Sequence, residues 1–193
     1  MKKLAVFFPG IGYTADKPLL YYSRKLAAEQ GYEALTIPYG GFPKNAKGDE
    51  KKLRRCFALA KEQAEERLRD LRPEQYGEIV FVAKSIGTAA AAAVAAGSPG
   101  LARVRFVLYT PVEETFRFPL GEAVVFTGSA DPWVGGGDSR IPALCAERNI
   151  PCTLIPGANH SLETGEVGED LRNLTLVMEQ TAAFLNVQGR RSF

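Results

Sequence analysis

The chain has 193 residues, 46% hydrophobic and 24% charged, with a net charge of +2. That is the make-up of one globular domain with a substantial core, and a charge so close to neutral gives no reason to expect a nucleic-acid or membrane partner. No apolar run reaches membrane-spanning length, and Cys56, Cys145 and Cys152 lack metal-ligand spacing, so they are expected as reduced thiols in a cytoplasmic protein.

The opening, MKKLAVFFPGIG, is basic and then apolar, but its apolar run of about six residues is short for a secretion signal. Short apolar runs predict six strands, at 4–9, 33–39, 78–83, 103–109, 122–128 and 151–157. Most are apolar along their whole length, as parallel strands covered on both faces are. Helices are predicted between them at 17–31, 49–72, 86–97, 138–148 and 171–186. In the second, Leu53, Phe57, Ala60, Ala64, Leu68 and Leu71 recur at three- and four-residue steps, and the charges on its other face read as a solvated surface. The alternation predicts an α/β three-layer sandwich with a mostly parallel sheet of about six strands, without a domain boundary. The closing GRRSF reads as a frayed tail.

In such sheets function gathers at the carboxyl ends of the strands. After the first strand comes PGIGYTA, where Gly10, Gly12 and Ala15 fit the dinucleotide fingerprint G-x-G-x-x-G/A. That fingerprint also needs an acid at the end of the second strand, and the nearest, Glu33, stands at its beginning. Pro9 and Pro18 suggest a longer, kinked loop rather than a tight phosphate turn. Nucleotide binding is therefore the weaker use of this loop.

After the third strand, Ala83-Lys84-Ser85-Ile86-Gly87 is G-x-S-x-G with alanine at the first glycine. A nucleophilic serine on a sharp strand-to-helix turn needs small residues on both sides and leaves the N–H of Ile86 facing developing negative charge. The other reading is a serine that caps the helix. Context favours the nucleophile. The one histidine, His160, follows the last strand in GANHSL, and Asp131 follows the strand before it in TGSADPWV. A base and an orienting acid are what a serine hydroxyl requires.

The order Ser85, Asp131, His160, with the AKSIG elbow, resembles the α/β-hydrolase superfamily over nearly the whole chain. The resemblance implies acyl transfer on a small-molecule acyl substrate such as an ester or thioester, with Ser85 as nucleophile, His160 as base and Asp131 as orienting acid. It implies no metal and no organic cofactor. It places Pro9-Gly10-Ile11-Gly12 where relatives carry an oxyanion loop, making Ile11 N–H the second donor beside Ile86 N–H. Against that family the chain is short: it begins at the oxyanion strand, without two leading antiparallel strands, and has only TPVEETFRFPLG where many relatives insert a lid. A non-catalytic relative that binds a ligand in the same pocket is the alternative.

Further residues fall at the strand ends. Gly10, Gly12, Tyr13 and Trp133 are candidate substrate contacts, with Phe42 a further pocket wall. Lys84 either pairs with a nearby carboxylate or favours an anionic substrate. Glu113 and Glu114 are alternative acids for His160, substrate contacts or a solvated loop. Asp138 is expected to cap a helix and Glu163 to support the histidine loop.

Overall fold

The computed structural model describes residues 1–46, 48–135, 137 and 139–186. Asp138 and the GRRSF segment lie outside these. Strands β1 (Lys2–Phe8), β2 (Tyr32–Thr36), β3 (Tyr76–Lys84), β4 (Arg105–Tyr109), β5 (Ala123–Gly128) and β6 (Cys152–Ile155) form one sheet in the order β2-β1-β3-β4-β5-β6. Every pairing is parallel. Helices α1 (Pro18–Glu29), α2 (Glu50–Leu68), α3 (Ile86–Gly97), α4 (Ile141–Ala146) and α5 (Val167–Leu185) connect them.

Alternation along the strands builds two cores. Leu4, Val6, Phe8, Phe81, Phe106, Leu108 and Val125 face one side with residues of α2, α3 and α4. Ala5, Phe7, Val80, Val82, Val107, Tyr109 and Phe126 face the other with residues of α1 and α5. Both faces of the central strands are therefore apolar, which explains their unbroken hydrophobic runs. Among the described residues no helix is long and apolar enough to cross a membrane.

Tyr109 fastens the second layer. Its buried hydroxyl lies 2.7 Å from Ser23 Oγ on α1 and 2.7 Å from Thr181 Oγ1 on α5. Two helices are thus tied by hydroxyls to one strand, and burial pushes the Tyr109 phenol up.

The chain leaves β1 toward β2, then returns to lay β3 on the other side of β1. This reversal opens a crevice between the ends of β1 and β3, where open α/β sheets place ligands. Helix α3 starts at that crevice and presses close. It can do so because Ile86 to Ala95 are all buried and mostly alanine. Gly87 makes the nearest approach: a Cβ there would stand 2.4 Å from the Pro9 carbonyl oxygen and 2.5 Å from that of Phe8. Gly87→Ala is expected to destabilise the fold by at least about 2 kcal/mol, because backbone rather than a flexible side chain must yield. Urea unfolding of the variant beside the wild type measures this.

Candidate active site

Ser85 ends β3 in a conformation that few residues accept, φ 56° and ψ −127°. The cost is about 1–3 kcal/mol and persists only where surroundings impose it. Here they do. Ser85 N–H donates to Tyr109 O at 3.1 Å, and Thr88 donates to Ser85 O through its N–H at 2.9 Å and its Oγ1 at 2.6 Å. Thr88 Oγ1 also lies 2.6 Å from Thr115 Oγ1, which ties the 3-10 turn Glu113–Arg117 to the elbow. The Ser85 side chain makes no cap bond to α3, contrary to the helix-cap reading. Its Oγ lies 2.7 Å from His160 Nε2.

His160 Nδ1 lies 2.7 Å from Asp131 Oδ2. A carboxylate only accepts, so Nδ1 carries the proton, leaving Nε2 to accept from the Ser85 hydroxyl. Asp131 is fully buried, and its Oδ1 accepts the Trp133 N–H at 2.9 Å. The Trp133 ring stacks on His160, with centroids 5.4 Å apart and planes at 27°. Six-strand topology thus gathers Ser85, Asp131 and His160 from the ends of three different strands into one hydrogen-bonded line.

The loops that carry Asp131 and His160 are bound to each other. Ala130 N–H donates to Ala158 O at 2.9 Å, Ser129 N–H to Ile155 O at 3.0 Å and Gly157 N–H to Ser129 Oγ at 2.8 Å. Gly128 permits this contact, since a Cβ there would lie 2.1 Å from Ala158 O. The histidine loop is further shaped by Asn159, whose Oδ1 accepts from the N–H of Ser161 and of Glu163 and whose N–H donates to Glu163 O. Glu163 supports the loop through its backbone while its side chain is exposed. Thr110, which sequence reasoning passed over, donates from Oγ1 to His160 O at 3.1 Å. It does so from φ 39°, a conformation that a β-branched residue adopts only under constraint. Its position directly after β4 was the available signal.

The first loop is tighter than its prolines suggest. Gly10 and Tyr13 exchange backbone hydrogen bonds at 3.1 and 3.3 Å around a turn in which Gly12 takes φ 69°. Gly10 lies against Ser85, a Cβ there falling 3.0 Å from Ser85 Cβ. Ile11 lies within this turn, next to Gly10. Tyr13 is buried, accepts the Leu19 N–H at 3.0 Å, and burial pushes its phenol up to about 12.

Of the two uses open to Lys84, a nearby carboxylate or an anionic substrate, its burial agrees with the first. It is 1% exposed, and its Nζ lies 4.9 Å from the centre of the Tyr13 ring. Burial pulls its ammonium down to about 7, against the attraction of Asp131. A side chain sealed under the elbow is the wrong group to meet an anionic substrate. Glu113 and Glu114 are both exposed, as a solvated loop would be, and Glu113 faces the exposed Arg140 at 3.8 Å; neither is the acid on His160, whose Nδ1 is taken by Asp131. Phe42 packs edge-on against Tyr39, with centroids 5.7 Å apart. Among the described residues no group of His, Cys, Asp and Glu is arranged to hold a metal ion.

No protein-family model matches the sequence, and no curated protein matches it. Solved structures do. Est1E from Butyrivibrio proteoclasticus superposes with a TM-score of 0.66 at 13% identity, covering 95% of this chain and 87% of its own. A lidless α/β serine hydrolase from Xanthomonas campestris gives 0.60 at 13%, covering 96% and 83%. An α/β serine hydrolase homologue from Coxiella burnetii gives 0.63 at 16%, covering 93% and 84%. At such identities the likeness establishes the fold, which is that of the α/β-hydrolases.

The pH dependence of stability follows from Lys84. Unfolded, the lysine holds its proton up to about 10.5; folded, to about 7. Between these values the unfolded chain binds more protons, so stability rises with pH, and it is lost as pH falls toward 7. Lys84→Met removes the buried charge. It is expected to gain on the order of 1 kcal/mol or more over the wild type at pH 6, and the gain should vanish above about pH 10. Denaturant unfolding of both proteins across that range is the check.

Proposed function

We propose that the protein is a serine hydrolase acting on an ester, thioester or related acyl compound. One observation carries the reading: Asp131, His160 and the strained Ser85 form a continuous hydrogen-bonded line with 2.7 Å at each step to His160. A serine merely ending a strand has no need of a histidine so held. The shared fold with Est1E and the two serine hydrolases supports the same reading.

His160 Nε2 takes the Ser85 proton as Oγ attacks the acyl carbonyl, and the imidazolium is stabilised by Asp131. The tetrahedral oxyanion is met by Ile86 N–H, which as the first residue of α3 has no intrahelical acceptor. Ile11 N–H is the second donor: the bonds that close its turn run between Gly10 and Tyr13, not through Ile11. His160 then protonates the leaving group, and a water activated by the same base releases the acyl chain from Ser85. Each oxyanion donor is worth about 3–4 kcal/mol of barrier. The chemistry calls for no metal and no organic cofactor.

Hydrolysis of 4-nitrophenyl esters of increasing acyl length, with a thioester series alongside, tests the proposal. Ser85→Ala and His160→Ala are expected to lose nearly all turnover above background. Asp131→Asn should retain the fold and lose about 10⁴-fold in kcat, because it presents the wrong histidine tautomer. Equal rates in wild type and Ser85→Ala would contradict the proposal.

A further inference from the structure

The chain has one tryptophan and one histidine, and the two rings are stacked. Both are governed by one buried carboxylate. Asp131 Oδ2 fixes His160 through Nδ1, and Asp131 Oδ1 fixes Trp133 through its backbone N–H. The second bond sets where the Trp133 side chain leaves the loop, so the indole is delivered to the imidazole by the same group that orients the imidazole itself.

An indole laid across an imidazole has two effects. It occupies one face of the ring, which opposes rotation out of the line between Ser85 and Asp131. Its electron-rich face also attracts the ring more strongly once the ring is a cation. Several of the described residues also act on this histidine. Asp131 lies on Nδ1, Ser85 on Nε2, and Lys84 is buried at the β3 tip against Tyr13, while Glu163 on the same loop points to solvent. Asp131 favours the imidazolium and a protonated Lys84 opposes it. Trp133 adds to the favourable side without adding a charge.

We infer that Trp133 is a positioning residue for His160, holding the imidazole between Ser85 and Asp131 and stabilising the imidazolium that forms when Ser85 gives up its proton. Its catalytic meaning rests on the serine-hydrolase reading; its hold on the histidine does not. A tryptophan that merely lined the pocket would alter substrate affinity and leave the ionisation of His160 alone.

A single histidine gives one set of ring resonances, so its titration is followed by NMR without ambiguity. The proteins to compare are wild type, Trp133→Phe and Trp133→Leu, from pH 5 to pH 9, with kinetics on 4-nitrophenyl butyrate. Each variant keeps the backbone N–H that Asp131 accepts, which isolates the side chain. The His160 midpoint is expected to fall from wild type to Phe to Leu, by about half a unit or more in Leu. The Leu variant should lose about tenfold in kcat with KM within about twofold. Should the Leu variant fail to fold, a midpoint in Trp133→Phe at or above the wild-type value overturns the inference. Unchanged midpoints in both variants overturn it too, as does a raised KM with unchanged kcat. A wild type inactive on the ester and thioester series and unlabelled by a fluorophosphonate, whose midpoint still falls on loss of Trp133, overturns the hydrolase reading while supporting the hold of Trp133 on His160.

Discussion

The backbone of Ser85 is the constraint on which the rest of the site depends. At φ 56° and ψ −127° the residue turns the chain from β3 into α3 within one step, and its Oγ is thereby thrown up toward the crevice. Relaxing it would redirect the hydroxyl and withdraw the start of α3. The features that hold it come from everywhere around. Tyr109 accepts its N–H from the neighbouring strand, Thr88 grips its carbonyl from the helix, and two glycines leave room for the close approach of β1. Strain of a few kcal/mol at one residue is sustained by a sheet and a helix whose other contacts are all favourable.

Electrostatics then organise what the backbone positions. Asp131 is a fully buried carboxylate, a state that costs several kcal/mol unless the charge is met. It is met by the His160 N–H and the Trp133 N–H, and below about pH 7 it also feels the ammonium of Lys84. These partners are not interchangeable. The histidine carries the proton in the proposed chemistry, the tryptophan bond orients a ring, and the lysine, when protonated, compensates charge from beneath the elbow while resting on Tyr13. Lys84 therefore connects the strand that leads to Ser85 with the turn that holds Ile11, without itself reaching solvent.

Much of this was legible in the residues. Six apolar runs located six strands because parallel central strands are buried on both faces, and Ser85, Asp131 and His160 could be grouped because each follows a strand. The boundaries slipped where burial and helix part company. Leu71 continues the apolar pattern of α2, yet the helix ends at Leu68 and Leu71 packs from beyond it. Helix α5 begins at Val167, four residues earlier than expected, because Val167 and Leu171 are exposed and their apolar character marks no core face. Strand β2 stops at Thr36, since Ile37 leaves the ladder after donating its N–H to Phe7 O. The sheet is wholly parallel, and its order follows from which crossover turns back, which no local pattern encodes. Nor does a lysine announce burial: the choice for Lys84 between a carboxylate partner and an anionic substrate stays open until Tyr13 and Asp131 are seen around it. The Trp133–His160 stack was hidden for the same reason, being a contact between two loops.

The proposed chemistry requires Ser85 to be an activated nucleophile, and covalent labelling with a fluorophosphonate tests this without knowledge of the substrate. A single adduct is expected, located on Ser85 by intact mass and peptide mapping, and absent from Ser85→Ala and His160→Ala. No adduct on folded wild-type protein, or an adduct that survives the loss of His160, would contradict it.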